Sequence, residues 1–194
     1  MKEEEILDVE IRSGQKKPVN LLLLGVVIIM MSTLIGATTN IVNGNLSEEY
    51  FRQIMGWDFE GIWKAAILQG VLEGVMYGII FGLIYVIGFR IITKGDADWS
   101  FVIRQLYRAV LIVYILWFVG GLFSVLQDLN YPSPPHKLLS VSIPEDKIPR
   151  MKFMWVRGSI YGAVIGGLIS VFYSIFRTSN EWKKSQDEGF GSLQ

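Results

Sequence analysis

Four long apolar segments divide this chain, and they constrain its fold more than any other feature. They cover residues 19–42, about 67–92, about 105–126 and about 151–176. An α-helix needs about 20 apolar residues to cross the hydrocarbon core of a bilayer, and each segment reaches that length. The sequence therefore predicts an all-α protein, a polytopic four-helix transmembrane bundle formed by one domain over residues 18–177.

Charged segments flank the predicted bundle on both sides. Residues 1–17 and 178–194 are rich in charged side chains and lack an apolar stripe, so we expect a cytoplasmic N-terminal segment and a cytoplasmic tail. A secretory signal has a basic region followed by a short apolar core. Here about twenty residues, many of them acidic, precede a first segment of 24 residues, so we expect that segment to be a retained helix.

Lysine and arginine are distributed unequally between the two sides of the predicted membrane. Eleven lie on the side that carries both termini, and seven lie on the other side. Short cytoplasmic loops carry an excess of these residues. We therefore expect a multi-pass protein of the cell (inner) membrane, with the N-terminus and the C-terminus in the cytoplasm.

Glycines recur at every fourth position in the second and fourth segments. They are Gly70, Gly74, Gly78, Gly82, Gly158, Gly162 and Gly166. Residues four apart share one helix face, so each series forms a glycine zipper, a groove that lets two backbones approach closely in a bilayer. Close helix packing is the favoured interpretation. Pore lining is the alternative, but no ring of acidic residues or carbonyl-rich filter motif accompanies the glycines.

The two halves of the chain resemble each other at a constant offset of 84 residues. The series Gly74, Tyr77, Gly78 and Gly82 recurs as Gly158, Tyr161, Gly162 and Gly166. This internal repeat predicts two parallel two-helix units related by an axis along the membrane normal. In that arrangement the glycine faces of the second and fourth helices meet near the axis.

One acidic residue, Glu73, lies well inside an apolar segment, where ionisable groups are costly and commonly face protein or water. Arg157 occupies the same position in the other half, and Tyr77 and Tyr161 follow the two charges by four residues. We expect an intramembrane ion pair between Glu73 and Arg157, supported by the two tyrosine hydroxyls. Two alternatives remain: Arg157 extends to the membrane interface while Glu73 bonds elsewhere, or Glu73 is a proton or ion site in a conducting path.

The loops and helix ends carry further local signals. Ser47 followed by two glutamates predicts the start of a short interfacial helix in the first outer loop, ended by Gly56. Asp58 is expected to cap the next helix. The second outer loop, residues 131–150, holds five of the six prolines, so we expect it to be extended and stiff, as a connector or as a docking surface.

Two polar groups near helix ends allow more than one role. Arg104 and Arg108 lie one turn apart on the cytoplasmic side, where they serve as positive-inside anchors or contact anionic lipid headgroups. Thr38, Thr39 and Asn40 can hydrogen-bond between helices, although a polar helix end is the favoured interpretation.

Composition argues against several classes of function. The chain has no Cys and one His, and no carboxylate cluster suits a metal, so we expect neither a metal nor a cofactor. Formal net charge is zero, which gives no reason to expect nucleic acid. No motif for a nucleophile, a metalloprotease or a phosphate loop is present. We therefore expect a protein that is not an enzyme.

The favoured function is a structural, assembly or accessory subunit of a membrane complex. Its expected partners are membrane lipids and either further copies of the chain or other membrane-protein subunits. The alternative is a small oligomeric channel or transporter that uses Glu73 as a proton or cation site. A water-filled cavity that reaches Glu73 would favour transport, whereas a dry contact between Glu73 and Arg157 with an exposed flat apolar face would favour the subunit.

Overall fold

The computed structural model describes residues 18–131 and 143–191, with side chains as far as residue 187. In this part of the chain the helices are α1 (Leu21–Leu46), α2 (Glu48–Met55), α3 (Ile62–Thr93), α4 (Trp99–Asn130) and α5 (Lys147–Gly191). Helices α1, α3, α4 and α5 are long and apolar enough to cross a membrane. The predicted all-helical fold with four such helices is confirmed.

Polar side chains fix where two of the long helices begin. The Asn20 side chain accepts hydrogen bonds from the backbone of Leu22 and Leu23, at 2.9 and 3.2 Å. Asp98 accepts one from the backbone of Phe101 at 2.8 Å. Both satisfy backbone donors that have no partner within the helix. Asp58 does not cap α3 as expected, because the helix begins at Ile62 with Gly61 at its N-cap; the Asp58 carboxylate pairs with Arg52 at 2.8 Å.

The ends of α5 differ from those predicted. The helix begins at Lys147 and includes Pro149 in its first turn, where a missing backbone donor costs little. It continues through the charged tail to Gly191. The N-terminal segment, residues 1–17, and most of the proline-rich loop, residues 132–142, lie outside the described residues, so those two predictions remain predictions.

The four long helices form two hairpins. Hairpin A is α1 packed along α3, and hairpin B is α4 packed along α5. The hairpins meet mainly through α3 and α5, whereas α1 touches α4 and α5 at few points. We call the end where Val19 bonds the backbone of Ala97, at 3.1 Å, the terminal end, and the opposite end, which carries α2, the loop end.

Glycines allow the two backbones of hairpin A to touch. A Cβ atom added at Gly36 would overlap the carbonyl oxygen of Gly70. One added at Gly74 would lie 2.6 Å from the Ser32 carbonyl oxygen, and one at Gly78 would lie 2.9 Å from the Ile29 Cα atom. These distances leave no room for a side chain, so the close approach of α1 and α3 requires glycine.

Hairpin B has the same kind of contact. A Cβ atom added at Gly120 would lie 2.5 Å from the Gly158 carbonyl oxygen and 2.8 Å from the Gly162 Cα atom. One added at Gly166 would lie 3.1 Å from the Val113 Cα atom. Each glycine series thus faces the other helix of its own hairpin. The expectation that the two series meet near a central axis is wrong.

Two apolar clusters cover the ends of the bundle. At the terminal end Leu24, Phe89 and Val102 are fully buried together. At the loop end the buried residues include Phe51 and Phe153. The short helix expected after Ser47 is present as α2: the Ser47 hydroxyl accepts a bond from the Tyr50 backbone at 3.3 Å, and Gly56, with φ of 66°, follows its last residue.

The first prediction concerns the backbone contact in hairpin A. Gly36→Ala should lower the free energy of unfolding by about 1–3 kcal/mol, because its methyl group meets the backbone of Gly70. Gly25→Ala, on the same helix, is the control, since no heavy atom lies within 4 Å of its added Cβ. Thermal unfolding in detergent measures both variants. Equal midpoints would show that α1 and α3 do not need this contact.

Candidate functional site

A cavity of about 140 Å³ lies between the two hairpins. All four long helices contribute to its walls, which are mostly apolar. The terminal-end cluster shares Tyr85, Leu106 and Val171 with its wall, and the loop-end cluster lies toward its other end. On one side it is bounded by α1 and α4, which touch at few points and are joined by a hydrogen bond of 2.6 Å between the Thr38 and Tyr114 hydroxyls.

Glu73 lines this cavity from α3. Its Oε1 atom accepts a hydrogen bond from Gln69 Nε2 at 2.8 Å, one helical turn away. Tyr77, one turn further along, also lines the cavity, and its ring stacks on that of Phe81 with centroids 5.7 Å apart. The carboxylate and the phenol therefore share the face of α3 that points between the hairpins, as their spacing predicts.

The expected ion pair between Glu73 and Arg157 is not formed. Among the described residues no salt bridge joins them, and Arg157 Nη1 instead contacts the Met154 sulfur at 4.0 Å. Tyr161 is largely exposed and does not line the cavity, so it does not support Glu73 there.

The packing register explains why the pair is absent. Gly36 and Gly120 make matching contacts and differ by 84 residues, but their partners Gly70 and Gly158 differ by 88. The sequence offset of 84 therefore misaligns α3 and α5 by one helical turn. In the packed hairpins the position of Glu73 matches that of Tyr161, and Arg157 lies one turn nearer the loop end.

Tyr50 of α2 lies among the charges that the sequence singled out. The pKa of its phenol is raised to about 12, mainly by burial and further by the nearby Tyr161 phenol and Glu73 carboxylate, while Arg157 acts in the opposite direction. The phenol therefore stays protonated at neutral pH. Sequence reasoning did not assign Tyr50 to this region, because its place depends on how α2 folds back onto the bundle.

Buried amides connect the hairpins on the loop-end side of the cavity. Asn40 donates to the Ala66 carbonyl at 3.0 Å, Asn43 donates to Asn40 at 3.4 Å, and Ser159 donates to Asn43 at 3.0 Å. These bonds link α1 to α3 and α5. Asn40, like Thr38, thus makes bonds between helices, and the favoured interpretation of a simple polar helix end is wrong.

Three further polar atoms in the cavity wall have no hydrogen-bond partner among the described residues. They are Trp117 Nε1, Tyr85 Oη and Ser174 Oγ. Tyr85 and Ser174 are only 3% and 2% exposed. The Tyr85 hydroxyl is next to that of Thr178, but the two do not have hydrogen-bond geometry. Unpaired buried polar groups are rare in folded proteins, so each needs an explanation.

The two arginines singled out in α4 belong to a cluster at the terminal end. Glu181 of α5 accepts hydrogen bonds from Arg108 at 2.7 Å and Arg177 at 2.6 Å, and Arg104 lies 3.7 Å away. Gln105 also donates to Glu181, at 2.7 Å. Sequence reasoning missed Glu181. The signal was the four-residue spacing from Arg177 to Glu181, which places the two charges one turn apart.

A second ion pair that the sequence did not reveal lies at the loop end of hairpin B. Arg150 donates two hydrogen bonds to Asp128, both of 2.7 Å, and the two side chains are 14% and 8% exposed. A two-pronged arginine–carboxylate contact is strong and directional. It joins the end of α4 to the beginning of α5 across the proline-rich loop.

Comparison of the chain with protein-family models, with curated proteins and with solved structures finds no match. Within residues 18–131 and 143–191 no group of three or more His, Cys, Asp or Glu side chains could hold a metal ion. The chemistry of the site therefore has to be inferred from its own residues.

A second prediction concerns the amide network. Ser159→Ala removes the donor to Asn43, which is fully buried, and should lower the free energy of unfolding by about 1–3 kcal/mol. Ser100→Ala, at an exposed position early in α4, is the control. Chemical unfolding of both variants in detergent measures the difference in their free energies of unfolding. If Ser159→Ala is as stable as the control, the network does not hold the hairpins together.

Proposed function

We propose that the protein is a small membrane transporter or channel in which Glu73 binds a proton or a monovalent cation. The observation that carries this proposal is that the cavity between the hairpins reaches Glu73, while Arg157 does not pair with it. A carboxylate deep in an apolar segment is costly unless it has a partner or serves a function. Its partner here is a neutral amide, Gln69, which leaves room for an added positive charge.

The unpaired polar groups support a hydrated path through the cavity. Tyr85 follows Glu73 by twelve residues, which is about 18 Å along α3 at 1.5 Å per residue. An unpaired buried hydroxyl costs about 1–3 kcal/mol, and water or a hydrated ion would satisfy it. Trp117, Tyr85 and Ser174 thus supply hydrogen-bonding groups in the cavity wall.

The packing of the bundle supports transport by movement of whole hairpins. Glycine contacts bind the helices tightly within each hairpin, whereas the hairpins meet over a smaller surface. Between α3 and α5 that surface includes the Phe81 ring against Gly167 and Ile175 against Gly88. Rocking of one hairpin against the other would open the cavity to each side in turn, as in transporters built from repeats.

We also propose that the two hairpins are copies of one two-helix repeat in parallel orientation, and that each glycine series acts as a zipper inside its own hairpin. Matching contacts support this: Gly36 with Gly70 and Gly74 in hairpin A, and Gly120 with Gly158 and Gly162 in hairpin B. Matching residues are 84 positions apart in α1 and α4 and 88 positions apart in α3 and α5. The four additional residues correspond to about one helical turn inserted between α4 and α5.

The proposed orientation places the terminal end in the cytoplasm of a cell (inner) membrane, because the side with both termini carries eleven of the eighteen lysines and arginines. Helix α2 then lies at the opposite membrane interface. Its buried residues, Tyr50 and Phe51, face the protein, while Ile54 and Met55 stay exposed. Those two side chains would contact the headgroup region.

A subunit role is the second candidate. Helix α1 is the least buried of the four long helices, and its exposed apolar residues include Leu22, Met30 and Leu34. This face offers a surface for another copy of the chain or for a different membrane-protein subunit. Both functions agree with an oligomer, and neither requires an enzyme activity or a cofactor.

The third prediction tests transport. Purified protein in liposomes should carry protons or Na⁺ down an imposed gradient, measured with a trapped fluorescent indicator. Glu73→Gln should lower the flux at least about tenfold, because it removes the charge that would bind the cation. Glu60→Gln makes the same chemical change at an exposed position before α3 and should keep the flux of the unaltered protein.

Two results would contradict the transport proposal. One is flux no greater than that of empty liposomes for protons, Na⁺ and K⁺. The other is equal flux in Glu73→Gln and Glu60→Gln, since the cavity carboxylate would then play no part.

The fourth prediction separates transport from the subunit role. Gentle extraction from the native membrane, followed by native mass measurement, should give a complex that contains this chain alone if it acts as a transporter. Stoichiometric recovery of a different membrane protein would instead make the chain an accessory subunit.

A further inference from the structure

We propose that the terminal end of hairpin B binds one anionic phospholipid. The phosphate lies on Arg104, Arg108 and Arg177, and an acyl chain lies along the groove between α4 and α5 beside Arg108. The site is separate from the cavity and does not depend on the transport proposal.

The charge balance of the cluster favours an anion. Three arginines surround one carboxylate, Glu181, at 3.7, 2.7 and 2.6 Å, so the cluster keeps an excess of two positive charges. Each guanidinium has five N–H donors, far more in total than one carboxylate can accept. A phosphate offers the acceptor oxygens that these donors lack.

Glu181 arranges the arginines for such a ligand. It draws Arg104 and Arg108 of α4 and Arg177 of α5 to one point, although the three arginines would otherwise repel one another. Gln105, which is fully buried, fixes the carboxylate with a further hydrogen bond of 2.7 Å. The arginines are 58%, 32% and 38% exposed and remain open to a ligand from the membrane side.

An apolar groove begins at this cluster. Arg108, Leu111, Ile112 and Tyr173 line it, between α4 and α5. Because Leu111 and Ile112 follow Arg108 by three and four residues, they share its helix face, one turn further from the terminal end. A ligand with a charged head and an apolar chain fits this arrangement. A free phosphate would use the arginines and leave the groove without a role.

Aromatic residues place the cluster at the depth of lipid headgroups. Trp99 begins α4, and Trp182 adjoins Glu181 in α5, with the Trp182 and Phe101 rings edge to face at 6.0 Å. Tryptophan is enriched at membrane–water interfaces. Basic pockets between helices at that depth bind anionic headgroups. An anionic phospholipid therefore matches both parts of the site. Its headgroup meets the arginines at the interface, and its acyl chain meets the apolar groove deeper in the membrane.

Native mass spectrometry of the full chain in mild detergent tests the site, with phosphatidylglycerol and phosphatidylcholine as probes. One phosphatidylglycerol per chain should remain bound at concentrations where phosphatidylcholine does not. Arg104→Gln should weaken this binding about fivefold, the usual effect of one basic residue near an anionic surface. The Arg104→Gln variant should fold normally, since Arg104 is the most exposed of the three arginines and lies farthest from Glu181. Arg90→Gln, an exposed arginine on α3 at the same end, should have no effect.

A second pair of variants tests the groove without changing any charge. Leu111→Trp should weaken phosphatidylglycerol binding by filling the groove, and Leu122→Trp, at a similarly exposed position of α4 outside the groove, should not. Equal binding of the two lipids would overturn the proposal. An equal loss of phosphatidylglycerol binding in Arg104→Gln and Arg90→Gln would also overturn it. Displacement of the lipid by millimolar inorganic phosphate, with no effect of Leu111→Trp, would assign the arginines to a free anion instead.

Discussion

Direct contact between helix backbones at glycine is the constraint on which this bundle depends. Lipid chains are as apolar as leucine, so helices in a bilayer gain little from burying apolar side chains and must gain instead from close packing. Gly36 against Gly70 and Gly120 against Gly158 provide that packing inside each hairpin. Tight packing within the hairpins leaves a smaller interface between them, and the cavity lies in that interface.

The polar residues inside the bundle divide into two groups with different consequences. The amides of Asn40 and Asn43 and the carboxylate of Glu181 have close partners, and these contacts tie helices together. The polar atoms of Tyr85 and Ser174 have none among the described residues and line the cavity. The amide bonds thus join hairpin A to hairpin B, the Glu181 contacts join α4 to α5 within hairpin B, and the unpaired groups face the cavity.

The sequence predicted what depends on local pattern. Apolar length predicted the four long helices, and the Ser47 and Gly56 signals predicted α2. It did not predict which helices the glycines would join, because a glycine stripe marks a close contact without naming its partner. The predicted ion pair of Glu73 with Arg157 was wrong for a related reason. The offset of 84 residues matches the contacts of α1 and α4, but the contacts of α3 and α5 match at an offset one helical turn longer. Contacts between distant segments, such as Asp128 with Arg150, had no local signal.

Among the residues that the structure describes, the cavity wall carries one carboxylate, Glu73. Under the transport proposal, this number limits the energy that a membrane potential can supply. A site that neutralises one charge moves one charge per cycle. That charge gains about 2.3 kcal/mol across 100 mV, which supports a concentration ratio of about fifty. Under the transport proposal, the two hairpins could therefore accumulate a cation to at most about that ratio from the membrane potential alone.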